Sequence, residues 1–249
     1  RSAKLDLAGT RLTFGKLLNG GQLCLSPDYV VVPDELEEQL IARVVQEVQS
    51  MYPNITENED YAGVINERHF ARLQNYIDDA VAKGAKLTIV GADKTRASEG
   101  NRRMPLHILQ NVNEDMLVMH EEIFGPILPV MTYSDVAEVP DMIEPRRNPL
   151  ALYYFGKDKP EQEYLLSHVQ SGGVCINDIT LHYVQEDLPF GGIGASGMGA
   201  YHGPEGFRSM SHARAIYSQT MIDVLPIIGA RPPFGKKFRK NISKILGSI

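Results

Sequence analysis

The sequence predicts an α/β fold, a layered sheet with flanking helices. Two observations carry that expectation. Amphipathic helical runs alternate with short β-branched runs, and one unit, helix then glycine then strand, occurs at residues 66–90 and again at residues 161–179. The 249 residues are 43% apolar and 22% charged, with 22 glycines and 15 prolines, enough to bury a core in one large domain or two small ones.

The elements follow in order. Leu12, Phe14, Leu17 and Leu18 give a first helix an apolar side, and Asn19-Gly20-Gly21 ends it in the way glycine ends helices. Tyr29 to Val32 reads as a buried strand. Pro33-Asp34 opens a second helix, on which Leu36, Leu40, Ile41, Val44, Val45 and Val48 make one stripe. After a loop at residues 53–60, Asn66 or Glu67 opens a third helix with Phe70, Leu73, Ile77 and Ala80 on one side, closed by Gly84, and Lys86 to Val90 follows as a strand. Residues 91–103 are polar and contain glycine, which makes them a loop. Strand-like runs sit at Ile127 to Tyr133 and Leu150 to Phe155. Glu161 to Gln170 reads as a helix, Ser171-Gly172-Gly173 as a break, Val174 to Ile179 as a strand, and Arg214 to Ser218 as a last strand-like run. No fixed-period repeat is present.

Composition narrows the function classes. Two cysteines exclude a disulfide framework, and no positively charged, apolar leader opens the sequence, so a reducing cytoplasm is the expected setting. No apolar run approaches the length that spans a bilayer. The net charge of −6 conceals an asymmetry: residues 231–249 carry Arg231, Lys236, Lys237, Arg239, Lys240 and Lys244 and no acid, a tail of +6 on a body of −12. Phe238, Ile242, Ile245 and Ile249 recur there at helical spacing, predicting a basic amphipathic helix. Packing on its own or a partner subunit is its expected role, with peripheral contact to an anionic membrane surface as the alternative. An acidic body without a basic, aromatic-interleaved stripe is not expected to bind nucleic acid.

The segment Asn19-Gly20-Gly21-Gln22-Leu23-Cys24 sets a thiol in a glycine-softened turn just after the first helix. Thiolate is the reactive form, so a working Cys24 needs peptide N–H groups, a cation or a base beside it. Gly20 and Gly21 permit unusual backbone angles and close approach of another group. Cys24 is therefore a candidate nucleophile; taken alone it also reads as a small apolar core residue. Three other motifs fail. Gly192-Ile193-Gly194-Ala195-Ser196-Gly197 has dinucleotide-fingerprint spacing, but no hydrophobic strand precedes it, and Gly199, Gly203 and Pro204 break any helix after it. His120-Glu121-Glu122 lacks the second histidine of a zinc-protease helix, since Phe124 holds that position, and the remaining histidines have no ligand spacing, so no catalytic metal is expected. Cys175, in an alternating apolar run, reads as core.

Four motifs stand in register: Gly20-Gly21-Gln22-Leu23-Cys24 followed by Ser26-Pro27-Asp28-Tyr29; Glu121-Glu122-Ile123-Phe124-Gly125-Pro126; Gly173-Val174-Cys175-Ile176-Asn177-Asp178; and Leu188-Pro189-Phe190-Gly191-Gly192. In order and separation this set resembles the catalytic half of the aldehyde dehydrogenase superfamily. Pro27-Asp28-Tyr29 and Ser196-Gly197-Met198-Gly199-Ala200-Tyr201-His202-Gly203 look like the branch that holds fatty, aromatic and coniferyl aldehyde dehydrogenases. The resemblance runs from about Leu5 to about Ser218.

The resemblance implies that family's catalytic α/β domain over residues 1–210, an oligomerisation strand at 211–220 that joins a partner subunit's sheet in a homodimer, and a basic tail at 221–249. It implies that Cys24 attacks an aldehyde carbonyl, that NAD or NADP takes the hydride, and that water hydrolyses the resulting thioester. Glu122 matches the acceptor of hydrogen bonds from the nicotinamide ribose, and Phe124 the apolar wall beside it. Asn177 and Phe190 take structural or substrate-lining roles. Coniferyl or another aromatic aldehyde is the first expected substrate and a medium or long aliphatic one the second. The family's cofactor-binding domain, its general-base glutamate and the asparagine of its oxyanion hole lie upstream of the segment matching Arg1, so this chain alone is not expected to oxidise aldehydes.

Ordinary readings stand beside these. Glu121 and Glu122 also suit solvated charges, Phe124 and Phe190 core aromatics, and His202 a structural residue. Two other classes remain: a cysteine hydrolase or acyltransferase with His182 or His202 as base, and an assembly fragment with an inert Cys24.

Overall fold

The apolar stripes and β-branched runs become the helices and strands of an α/β fold. The computed structural model describes residues 1–91, 101–146 and 148–247, which divide into two units, Arg1–Met210 and Ser211–Ile249. The first unit contains α1 (Leu5–Leu17), β1 (Val30–Pro33), α2 (Glu37–Met51), α3 (Glu67–Ala82), β2 (Lys86–Val90), β3 (Leu106–Gln110), β4 (Ile127–Tyr133), α4 (Val139–Ile143), β5 (Ala151–Tyr154), α5 (Lys159–His168), β6 (Gly173–Ile176) and α6 (Gly203–Ser209). A four-stranded sheet runs in the order β1-β4-β3-β2, parallel except where β2 meets β3, and β5 and β6 form a second, parallel pair.

Alternation along the central strands explains the layers. Leu106 and Ile108 of β3 and Leu128 and Val130 of β4 face Leu12, Leu17, Leu40, Ile41, Val44 and Val48 of α1 and α2. Leu109 and Ile127, of opposite parity, face Leu73, Tyr76, Ile77 and Ala80 of α3. Each such side chain, fully buried, contributes about 1.5–3 kcal/mol. Asn66 caps α3 as expected, its side chain accepting from the His69 N–H, and Asp158 caps α5 in the same way from Glu161.

β4 changes neighbour at Pro129. Ile127, Leu128 and Pro129 pair with β3, and from Val130 onward the strand pairs with β1. A proline cannot donate to a ladder, so it fits where the ladder passes from one side to the other. A cavity of about 860 Å³ lies beside β1 and β5, lined by Val30 to Val32 on one and Ala151 to Tyr154 on the other.

Several sequence expectations need correction. β3 was not foreseen, because a strand covered on both faces has no period-two signal and its five residues include a buried histidine and glutamine. Phe14 is 45% exposed, whereas Lys16 and Thr13 are buried; Leu12 and Leu17 of the expected apolar side do enter the core, joined by close contacts of Gly9 with Arg43 and Gly15 with Ile179. The strand at 174–179 stops at Ile176, and Cys175 is half-buried. Within the loop expected at 91–103, residues 92–100 lie outside the described residues, as does Ile249.

The second unit contains α7 (Val224–Ile228) and α8 (Lys236–Leu246), the basic helix read from the tail. Residues 211–220 are exposed, and Arg214 to Ser218 form no ladder. An extended segment without a neighbouring edge leaves its N–H and C=O groups to water, so the expected strand is not formed in a single chain.

The turn after α1 is tight for two separate reasons, backbone conformation and close approach of another segment. Asn19, Gly20 and Gly21 all have left-handed φ, at 52°, 64° and 75°, and a Cβ on Gly21 would lie 2.5 Å from the Gly125 carbonyl oxygen. Gly84 has a φ of 100° but nothing within 4 Å of such a Cβ. Gly21→Ala is therefore expected to lower stability by about 2 kcal/mol or more and Gly84→Ala by about 1 kcal/mol, by urea denaturation. Equal losses would mean that the approach to Gly125 contributes nothing.

Candidate active site

The thiol turn is held from outside by one amide. Gln22 Nε2 donates to the carbonyls of Asn19 at 2.9 Å and Gly63 at 3.1 Å, and its Oε1 accepts the Ile65 N–H at 2.9 Å. The Ser26 N–H closes the turn on the Leu23 carbonyl. Cys24 is left exposed as a free thiol, which does not suit the core-residue reading. The Tyr153 hydroxyl, on β5, donates to the neighbouring Leu25 carbonyl at 2.9 Å.

A second segment, residues 121–125, approaches across Gly21. Ile123 is 1% exposed, and its peptide is gripped on both sides: its N–H donates to the Asp28 carboxylate at 3.0 and 3.4 Å, and its carbonyl accepts from Arg72 Nη2 at 2.8 Å. The flanking residues, Glu122 and Phe124, are exposed. Phe124 has a φ of 49°, uncommon for an aromatic residue and a mark of local constraint. A Cβ on Gly125 would meet Leu73 of α3 at 2.5 Å, so this segment is seated between that helix and the thiol turn. Cys24 and Glu122 consequently line one cavity, together with Asp28.

Charge beneath this cavity is buried. Lys16 is 0% exposed, and its Nζ has no hydrogen-bond partner among the described residues. Burial lowers its pKa to about 8, opposed by Asp28 and Glu122. Asp28 is pushed up by burial and held back by Lys16, the Ile123 N–H, Arg72 and Arg146. Glu122 is raised by partial burial and by the Asp28 charge.

Phe190 and Asn177 occupy other places. Phe190 pairs with Tyr201 through two main-chain hydrogen bonds. Its ring centroid lies 5.0 Å from Tyr183, 5.6 Å from Tyr201 and 6.1 Å from His182, and His182 lies 6.0 Å from Tyr153. Of these rings Tyr153 stands beside the thiol turn through its bond to Leu25, and burial raises the Tyr153 and Tyr201 hydroxyls. Both His182 nitrogens are buried without a partner among the described residues, so this imidazole is not bonded to Cys24; burial favours its neutral form. Asn177 spends its amide on Gly156, accepting the N–H at 2.8 Å and donating to the carbonyl at 2.9 Å.

Sequence reasoning overlooked Lys16, Arg72 and the Tyr153, Tyr183 and Tyr201 rings, and gave Asp28 no role beyond its motif. The paired aromatics Tyr153-Tyr154, His182-Tyr183 and Tyr201-His202 were the available signal for the ring cluster. Arg72 had none, since a helix arginine 51 residues from its carbonyl partner resembles any solvated charge.

Residues 1–216 match the sequence model of the aldehyde dehydrogenase family. The chain belongs to that family. It is 45% identical over 244 residues to a probable coniferyl aldehyde dehydrogenase of Pseudomonas aeruginosa, covering 98% of this chain and 50% of that protein. It is 39% identical over 249 residues to the coniferyl aldehyde dehydrogenase of a Pseudomonas species, covering all of this chain and 52% of the relative. The substrate-bound structure of AldH from Staphylococcus aureus superposes with a TM-score of 0.83 at 32% identity, over 98% of this chain and 52% of that one. The chain thus spans about half the length of the curated aldehyde dehydrogenases it matches. Among the described residues no helix is long and apolar enough to cross a membrane.

The Lys16 charge gives a signed pH dependence. Between pH 8 and 10.5 the unfolded chain still holds a proton that folded Lys16 has released, so this residue's contribution to stability rises with pH by on the order of 3 kcal/mol across that window. Urea denaturation of wild type and Lys16→Met is expected to show their difference moving toward the wild type as pH rises. A pH-independent difference would place Lys16 in water.

Proposed function

We propose that this chain supplies the thiol-bearing part of an NAD(P)-dependent aldehyde dehydrogenase acting on coniferyl or other aromatic aldehydes. The observation that carries the reading is the seating of Gly21 on Gly125, which brings an exposed Cys24 and an exposed Glu122 onto one cavity.

The residues fit the nicotinamide end of the cofactor. The Glu122 carboxylate offers two acceptor oxygens to a pair of ribose hydroxyls, and the exposed Phe124 ring offers an apolar face to a flat heterocycle. The bound nicotinamide supplies the hydride acceptor that aldehyde oxidation requires.

The chain's own contributions can be derived. The Cys24 thiolate adds to the carbonyl carbon, forming a thiohemiacetal. Its N–H is a preorganised donor for the oxygen that becomes charged, and losing one such donor typically costs about 10²–10³ in rate. After oxidation the thioester on Cys24 is hydrolysed to the acid, freeing the thiol. The rings of Phe190, Tyr183, Tyr201 and His182 suit a flat aromatic substrate, and the coniferyl aldehyde dehydrogenases among its relatives favour that class. The exposed segment 211–220 is the edge through which a second copy would pair in a homodimer.

The test is NAD(P)H formation by the full-length protein with coniferaldehyde and with a long-chain aldehyde. Coniferaldehyde is expected to be the better substrate, and Cys24→Ala to lower turnover on the order of 10³-fold or more. A folded protein that reduces neither nucleotide with either aldehyde would sink the assignment.

A further inference from the structure

We propose that Asp28 and Arg72 are positioning residues that grip the Ile123 peptide from both sides, fixing Glu122 and Phe124 against the thiol turn. The inference rests on the reading of Glu122 and Phe124 as the nicotinamide-binding pair and assigns residues that do not themselves touch the cofactor.

The segment around Ile123 has no regular structure to set its path. Residues 120–125 lie between a short 3-10 turn at Leu117–Met119 and the Pro126 carbonyl, which accepts from the His107 N–H of β3, and no ladder fixes their backbone. Two bonds do so instead, one from the Ile123 N–H to a carboxylate and one from a guanidinium to its carbonyl. Both involve an ionised group, and such bonds are roughly twice as strong as neutral ones. Because Ile123 is buried, the residues on either side are turned outward, so the grip determines where the Glu122 carboxylate and the Phe124 ring stand.

The two anchors come from different places. Asp28 belongs to the segment that carries Cys24, four residues further on, and Arg72 belongs to α3, where it also stacks over Tyr76 with its guanidinium 5.1 Å from the ring centroid. The Tyr76 hydroxyl in turn donates to Glu121 at 3.3 Å. The cofactor segment is therefore tied at once to the nucleophile's segment and to a rigid helix.

A buried carboxylate accepts the Ile123 N–H more strongly while charged. Burial opposes that charge, and the groups that favour it are Lys16, the Ile123 N–H, Arg72 and Arg146. Lys16 is the one of these cations that makes no hydrogen bond through its charged group among the described residues, whereas Arg146 is engaged by Glu114 and the Met142 carbonyl.

The experiment uses the full-length protein and two reactions of the same thiol: aldehyde oxidation, which needs the nucleotide, and hydrolysis of p-nitrophenyl acetate, which does not. The variants are Arg72→Met and the double variant Lys16→Met with Asp28→Ala, which removes the two buried charges together. The proposal expects the KM for NAD(P) to rise about 10-fold or more while ester kcat/KM stays within about threefold, and the Ile123 amide to exchange hydrogen about 10-fold faster or more. Asp28→Asn, which keeps an acceptor oxygen, is expected to recover part of the cofactor affinity. An unchanged KM for the nucleotide, or ester and oxidation rates falling together, would overturn it. Should the wild type reduce no nucleotide, the dehydrogenase reading fails on its own, and unchanged exchange at Ile123 would still refute the grip.

Discussion

No methyl group fits between Gly21 and the carbonyl of Gly125, and the arrangement of the site depends on that contact. Three consecutive left-handed residues end α1 abruptly, so the chain turns back within the reach of one peptide and presents Cys24 on the outside of the bend. A side chain at position 21 would lift the bend from residues 121–125 and open the cavity that Cys24 and Glu122 share. The glycine is thus required by a neighbour distant in sequence as much as by its own φ.

Around that contact the protein places charge where apolar packing would be more stable. Asp28 and Arg72 hold Ile123 from its two sides and Lys16 is fully buried nearby in sequence, and burying ions seldom adds net stability compared with well-packed hydrophobic residues of similar volume. What such groups provide is direction. A carboxylate accepting a peptide N–H admits fewer geometries than a methyl group packed on the same surface, and the outward turn of Glu122 and Phe124 results from it. Asn177 shows the same economy, its amide holding Gly156 at both N–H and C=O.

Much of this architecture could be read from residues alone, for physical reasons that also explain the gaps. α2 and α3 pack one face on the sheet, so their stripes announced them, and β2, β4 and β5 carry β-branched or aromatic runs bounded by turn residues. β3 is enclosed on both faces and shows no alternation. α1 misled only in part: Leu12 and Leu17 are buried as read, but its phenylalanine faces outward and two glycines and a lysine complete the buried side. At the site, the motif order pointed to Cys24, Glu122 and Phe124, and the fold brings the thiol and the carboxylate to one cavity. Asp28 and Arg72 act through a peptide group that any residue but proline would supply at position 123, so their bonds leave little trace in the identity of that residue.

The Cys24 turn leads directly into β1, and the Glu122 segment leads directly into β4. These strands are parallel neighbours, with Val30 opposite Val130, so both functional segments enter the sheet from the same end. The ladder acts as a ruler: six residues separate Cys24 from its pairing position and eight separate Glu122 from its own. One residue inserted or deleted in either short approach would displace sulfur from carboxylate by about 3.3 Å, or turn every β1 side chain to the opposite face if the pairing slipped to compensate. The lengths of these two connections are therefore as restricted as the identities of the residues they carry, and variation in chain length should be tolerated elsewhere in the fold before it is tolerated there.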